Sequence, residues 1–145
     1  MIKLNIKAKT TKATKYIKGL QNKMPNAQTR SLTHTALRQK EIITKRTDKG
    51  QGVEGKFKKY TPEYAEFKKS IGQGSTPNLQ VSNFMLSNIA VKSKGNKATV
   101  FFRSNKANEL AFYNDKTRPF FSVNNKEEKI LQKNFEEQLF KHLKI

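Results

Sequence analysis

The chain has no cysteine at all, which removes disulfides and thiolate-held metal from consideration. It has only two histidines, His34 and His142, and neither has a His or carboxylate neighbour at the spacing that metal sites use. No apolar run approaches the length needed to cross a bilayer, so no membrane partner is expected. The N-terminus alternates Ile2, Leu4 and Ile6 with Lys3, Asn5 and Lys7. It therefore lacks the apolar stretch of a secretion signal, and a cytoplasm-like compartment is expected. Acidic residues are scarce and late. The first is Glu41, after a stretch that contains ten Lys or Arg.

Catalytic motifs are missing too. There is no Gly-x-Ser-x-Gly, no phosphate loop and no His-Glu-x-x-His, and Gly50-Gln51-Gly52 neither follows a strand nor opens a helix with Lys-Ser or Lys-Thr. The pairs Glu127-Glu128 and Glu136-Glu137 stand beside lysines on one helical segment and read as a solvated face rather than an acid/base pair. The expectation is a protein that is not an enzyme and needs no cofactor.

What is present is charge: 30 Lys and Arg against 11 Asp and Glu, net +19 over 145 residues. Such a field fits an acidic partner, nucleic acid or an acidic protein face. It fits a Lys- and Asn-rich genome equally well. Lys outnumbers Arg 25 to 5, whereas readers of bases and phosphates lean on bidentate Arg. The length implies one domain, residues 1–145, and the 34% hydrophobic content a modest core.

Periodicity divides the chain. Residues 1–8 alternate as a half-buried strand. Residues 11–24 have helical spacing, with Ala13, Tyr16, Ile17, Leu20 and Met24 on one side; Pro25 interrupts, and a second stripe of Leu32, Ala36 and Ile43 runs to about Lys45. Two helices or one kinked helix both satisfy that pattern. Residues 46–59 hold three glycines and no period, so a long loop is expected. Thr61-Pro62-Glu63 opens a helix that Gly72 stops, and Gln73–Asn78 is a polar linker. A short helical turn at Phe84–Asn88 leads to two strands, Ile89–Ser93 and Lys97–Arg103, around Lys94-Gly95-Asn96. Ala98, Val100 and Phe102 form the inner face of this hairpin. Phe101 points the other way, towards a helix or another subunit. A short helix spans about Lys106–Asn114. Asn125 caps the last helix, with Glu128 three residues on, and the helix carries a stripe of Ile130, Leu131, Phe135, Leu139, Phe140 and Leu143. The predicted class is α+β: a small antiparallel sheet, made of the N-terminal strand and the 89–103 hairpin, packed by helices.

Four signals recur in one order: Gly50 to Phe57; Tyr60-Thr61-Pro62-Glu63-Tyr64 with Lys68; Leu79, Ser82, Met85 and Ile89; and Arg118-Pro119-Phe120 before a terminal helix. That order resembles the phage virion-morphogenesis or tail-completion family, the neck proteins that join head to tail. Asn83 and Asn88 stand where the family usually has Gly and Ser, and Asn tolerates left-handed backbone better than most residues. Asn114-Asp115-Lys116-Thr117 replaces the family's His-x-x-Gly. The resemblance implies a structural virion protein at the head–tail junction, closing on itself into a ring of six. Its partners would be a portal or connector on one face and a tail tube or tail terminator on the other, with transient DNA contact in the lumen. It also implies an assembly surface built from Gly50, Gly52, Gly55, Phe57, Tyr60, Tyr64, Arg118, Pro119 and Phe120. On that reading Phe57 and Tyr60 anchor a loop that orders on joining the ring, and Arg118 reaches a neighbouring subunit. Alternatively the loop is a disordered connector, and the Arg118–Phe121 run simply packs beside the last helix. The competing class is a Lys-rich, non-specific nucleic-acid-binding module that stacks bases on Tyr16 and Phe57.

Overall fold

The computed structural model describes residues 11–145; the strand predicted over residues 1–8 lies outside them. In chain order the elements are α1 (Thr11–Asp48), α2 (Pro62–Ser70), α3 (Phe84–Ser87), β1 (Ile89–Lys94), β2 (Lys97–Phe102), α4 (Asn105–Thr117) and α5 (Asn125–Leu143). The fold is mixed helix and sheet, with a two-stranded antiparallel hairpin and a long C-terminal helix.

Residues 11–48 form one helix that runs through Pro25. Pro removes one backbone donor, the partner of the carbonyl four residues back. That carbonyl belongs to Gln21, in an exposed stretch of the helix where water can take the donor's place. α1 is also the central element, touching both strands on one side and α5 on the other. Small hydroxyl residues make these contacts. The Thr33 and Ser93 hydroxyls meet at 2.6 Å across the α1–β1 seam, and the Thr29 hydroxyl lies 2.6 Å from the carbonyl of Gly95 at the hairpin tip. Thr35 approaches Asn134 of α5 at 3.3 Å, while buried Ser31 donates to Ala27 one turn back. Hydrogen-bonded hydroxyls allow close packing without large apolar side chains. This is how a chain of modest hydrophobic content packs elements against both sides of the middle of its longest helix.

The apolar core is compact: Ile43, Phe57, Met85, Leu86, Ile89, Ala111 and Phe120, with Leu79, Val100, Phe102 and Phe121 against it. The hairpin pairs Ile89 with Phe102 and Val91 with Val100, which sends Ile89, Val91, Val100 and Phe102 to one face. Phe101, on the other face, is half-buried under the ammonium of Lys92 at 5.1 Å. A neighbouring lysine lies over it.

The expected loop at 46–59 is different in kind. α1 continues to Asp48, and the remainder closes as a tight hairpin: Gly52 N–H donates to Gly55 O at 2.7 Å, and Phe57 N–H to Gly50 O at 2.9 Å. Phe57, expected as an interface anchor, is 8% exposed and belongs to the core. Gly52 is required there. A Cβ at that position would stand 2.3 Å from the Pro119 carbonyl oxygen and 2.6 Å from the Phe57 ring.

α5 begins one residue earlier than expected. Asn124 is the cap, and Glu127 completes the reciprocal box. Leu131 and Leu143 are buried, but Ile130 and Phe140 of the predicted stripe are exposed. Glu127 is not on a solvated face; it is paired with Arg46 of α1. None of the described helices is long and apolar enough to cross a membrane.

Candidate assembly groove

α2 begins where the sequence places it. The Thr61 hydroxyl accepts from Tyr64 N–H at 3.4 Å, and Pro62 occupies the first turn. This start fixes Tyr60, and Tyr60 organises the site. Its ring meets Tyr64 edge-on at 4.7 Å, and the Arg118 guanidinium stacks on it at 4.9 Å. The Lys68 ammonium lies 5.2 Å from the same ring centre. Its hydroxyl accepts from Leu79 N–H at 3.1 Å. Leu79 has φ of +56°, a left-handed conformation that a branched side chain rarely adopts. The Tyr60 bond holds that turn, and burial pushes the phenol's pKa up.

Lys68 is fully buried, at 0% exposed. It donates to Asn78 Oδ1 at 2.7 Å, and among the described residues no carboxylate pairs with it. Burial pushes its pKa down. Asn78 Oδ1 also accepts from Gln80 N–H at 3.2 Å, so Lys68 and Tyr60 together pin residues 78–80 against α2. The polar linker is thereby a fixed wall. Asn83 has φ of +58°, the left-handed conformation that its side chain tolerates, and it turns the chain into α3.

Arg118 is half-buried, and two of its donors are used within its own chain. Nε donates to Lys58 O at 3.0 Å and Nη2 to Lys59 O at 3.3 Å. Nε and Nη2 of Arg118, expected to reach a neighbouring subunit, thus bind within their own chain. The Asn114–Thr117 segment is helical, the last turn of α4. Asp115 there accepts from the N–H groups of Phe120 and Phe121 at 2.8 and 3.1 Å. These bonds carry Phe120 into the core at 0% exposure, so Phe120, like Phe57, is not a surface residue. Pro119 is exposed, but its carbonyl accepts from Val53 N–H at 2.9 Å. Gly50 (φ +72°) and Gly55 (φ +130°) shape the hairpin turn.

Of the predicted surface, Tyr60, Tyr64 and Arg118 do come together. They line a groove of about 830 Å³ with Leu79, Val81, Ser82, Asn83, Phe84 and Met85 on one side and Lys106, Leu110 and Asn114 of α4 on the other. No acidic residue lines it. Tyr64 is 37% exposed, and Val81, Phe84 and Leu110 are similarly open. Across α4 lies a second concavity of about 560 Å³ that includes Phe112, Tyr113, Glu109, Asp115 and Phe121. Phe112 and Tyr113 there are largely exposed and stack edge-on at 5.8 Å. Sequence periodicity missed this aromatic pair because α4 is short and apolar on both sides.

The two histidines, far apart in sequence, meet with ring centroids 5.8 Å apart. Among the described residues no cluster of three or more His, Asp or Glu is placed to hold a metal. Burial, then His34, Arg30 and Lys141, lower the pKa of His142, and its Nε2 is buried without a partner. The native state therefore resists a proton that the unfolded chain accepts below about pH 6.5. Stability should fall as pH drops from about 7.5 towards 5, and His142→Gln should flatten that slope in thermal melts. Parallel pH profiles for the two proteins would contradict it.

No protein-family model matches the chain, and neither a curated protein nor a solved structure matches it.

Proposed function

We propose that this chain is a structural virion protein of a phage head–tail junction, which closes into a six-fold ring between portal or connector and tail tube or terminator. One observation carries the reading. Three of the four ordered signals that resemble the tail-completion family, separated by up to 58 residues in sequence, converge on one open apolar groove: Tyr60 and Tyr64, Leu79 and Met85, and Arg118. Ring closure needs heterologous contacts, in which two different patches of each subunit meet. α4 supplies two, with Leu110 facing the groove and Phe112 and Tyr113 on the other side. Lys106 and Arg118 border the groove, whereas the second patch holds two carboxylates, Glu109 and Asp115, against one lysine, Lys116, so the two patches differ in charge and can set the register.

Tyr64 and Phe84 are at the surface, so the double replacement Tyr64→Ala/Phe84→Ala should leave the melting temperature nearly unchanged. If each is an interface anchor, assembly should weaken by on the order of 2 kcal/mol per side chain. Sedimentation with isolated tails and portals, together with a head–tail joining assay, reads that loss. Unimpaired joining by the double variant would remove the groove from the assembly surface.

A further inference from the structure

A third concave surface lies at the other end of the molecule. The N-terminal half of α1 extends past the hairpin with residues 12–18 and 21–26 exposed, and the end of α5 lies against it. Between them is a groove of about 440 Å³ lined by Lys12, Lys15 and Lys23 from α1 and Lys144 from the turn after α5. Its floor is open at Gly19, where a Cβ would find nothing within 4 Å, and Tyr16 stands at its edge.

Along its helices the chain neutralises a few of its basic residues. Glu41 pairs with Arg38 and Lys45, and Lys133 with Glu137, all three or four residues apart. Around this groove it does not. None of the four lysines has a carboxylate partner among the described residues, and the first acid of α1 is Glu41, about 44 Å along the helix from Lys12. A monovalent anion offsets one such charge; a chain of anions offsets them together. Lys144 and Lys141 also face the carbonyl end of α5, where cations are favourable anyway, but the three α1 lysines have no such reason to converge.

We infer that this groove takes the phosphate backbone of double-stranded DNA without reading its bases, because four lysines converge there on one concave surface that holds no carboxylate. A rigid helix with lysines along its length matches a rod that offers one negative charge per about 1.7 Å of its axis. Lysine holds phosphate as a point charge and lacks the planar fork of bidentate base contacts. A bilayer is flat and does not enter a groove between two helices. The inference is independent of the head–tail reading, since it uses the opposite end of the molecule.

Fluorescence anisotropy of the full chain on labelled duplexes of two unrelated sequences tests it across a salt series. Both duplexes should bind alike. The variant Lys12→Gln/Lys15→Gln/Lys23→Gln/Lys144→Gln should lower the slope of log affinity against log salt by about 3 to 4, one step per lost phosphate contact. A variant with the same change of charge elsewhere, Lys58→Gln/Lys59→Gln/Lys69→Gln/Lys129→Gln, should lower it by less than about 1. Equal losses in the two variants would overturn the site in favour of net charge alone. Poly-glutamate or phosphatidylserine vesicles that bind the groove lysines more tightly than duplex does would overturn the choice of DNA. Mass spectrometry of lysine acetylation reads the unsubstituted protein: bound duplex should protect Lys12, Lys15, Lys23 and Lys144, and unchanged labelling there would reject the inference.

Discussion

Replacing Arg46 with Ala should destabilise the fold by about 3–5 kcal/mol, the usual cost of leaving one member of a buried ion pair alone. Arg46 sits near the end of α1 and is 8% exposed. Its Nη1 pairs with Glu127, whose side chain is 13% exposed. Its Nη2 donates to the carbonyls of Phe120 at 2.5 Å and Ser122 at 2.7 Å. The same Glu127 oxygen accepts from Asn124 N–H at 3.0 Å, the return half of the α5 cap. One guanidinium therefore joins α1, the Phe120–Ser122 segment and the start of α5. Ala at position 46 strands a carboxylate and two carbonyls in a nearly dry site. Arg46→Lys should recover only part of the loss, because an ammonium cannot present the fork. Removing both charges in Arg46→Met/Glu127→Leu should be milder than Arg46→Ala. Urea and thermal melts on the four proteins measure this, and a loss below about 1 kcal/mol in Arg46→Ala would mean that the pair is not structural.

Phe120→Ala is expected to cost a similar amount, about 3–5 kcal/mol, through the lost burial and the cavity left behind. Phe120 is at 0% exposure in the apolar cluster and meets Phe121 edge-on at 6.1 Å. Its N–H is held by Asp115, so the backbone cannot easily move in to fill the space. The Arg-Pro-Phe run thus divides its labour: Arg118 clamps residues 58 and 59, while Phe120 fills the core. Denaturant melts of Phe120→Ala beside Tyr64→Ala separate core from groove. If Phe120→Ala melts like the wild type and only assembly fails, Phe120 belongs to an interface after all.

Local signals were legible because local physics sets them. Thr61-Pro62 starts a helix through one hydroxyl and one fixed dihedral, and the alternation around Lys94-Gly95-Asn96 makes a hairpin through neighbours in sequence. Asn83 takes the left-handed turn that its side chain tolerates. The cap of α5 was displaced by one residue because Asn124 and Asn125 are alike in chemistry, and only the pairing of Glu127 with Arg46 chooses between them.

Partners distant in the chain were not legible. Arg46 and Glu127 are 81 residues apart, and no pattern in either segment names the other. Phe57 lies in a glycine-rich stretch without periodicity, and it becomes core only because the hairpin at 50–57 folds back onto Pro119. Tyr60, Tyr64 and Arg118 were singled out by order along the chain, but their meeting at one groove depends on where α2 and α4 pack. By itself the sequence determined helix starts, the hairpin, the mixed α+β class and an acid-free basic N-terminal region, since each rests on propensity, capping or charge within a few residues. The tertiary structure alone decided which aromatics are core and which are surface, how Lys68 stays buried without a carboxylate, and where lysines converge. Those outcomes depend on burial and distance between segments, which exist only once the chain has closed on itself.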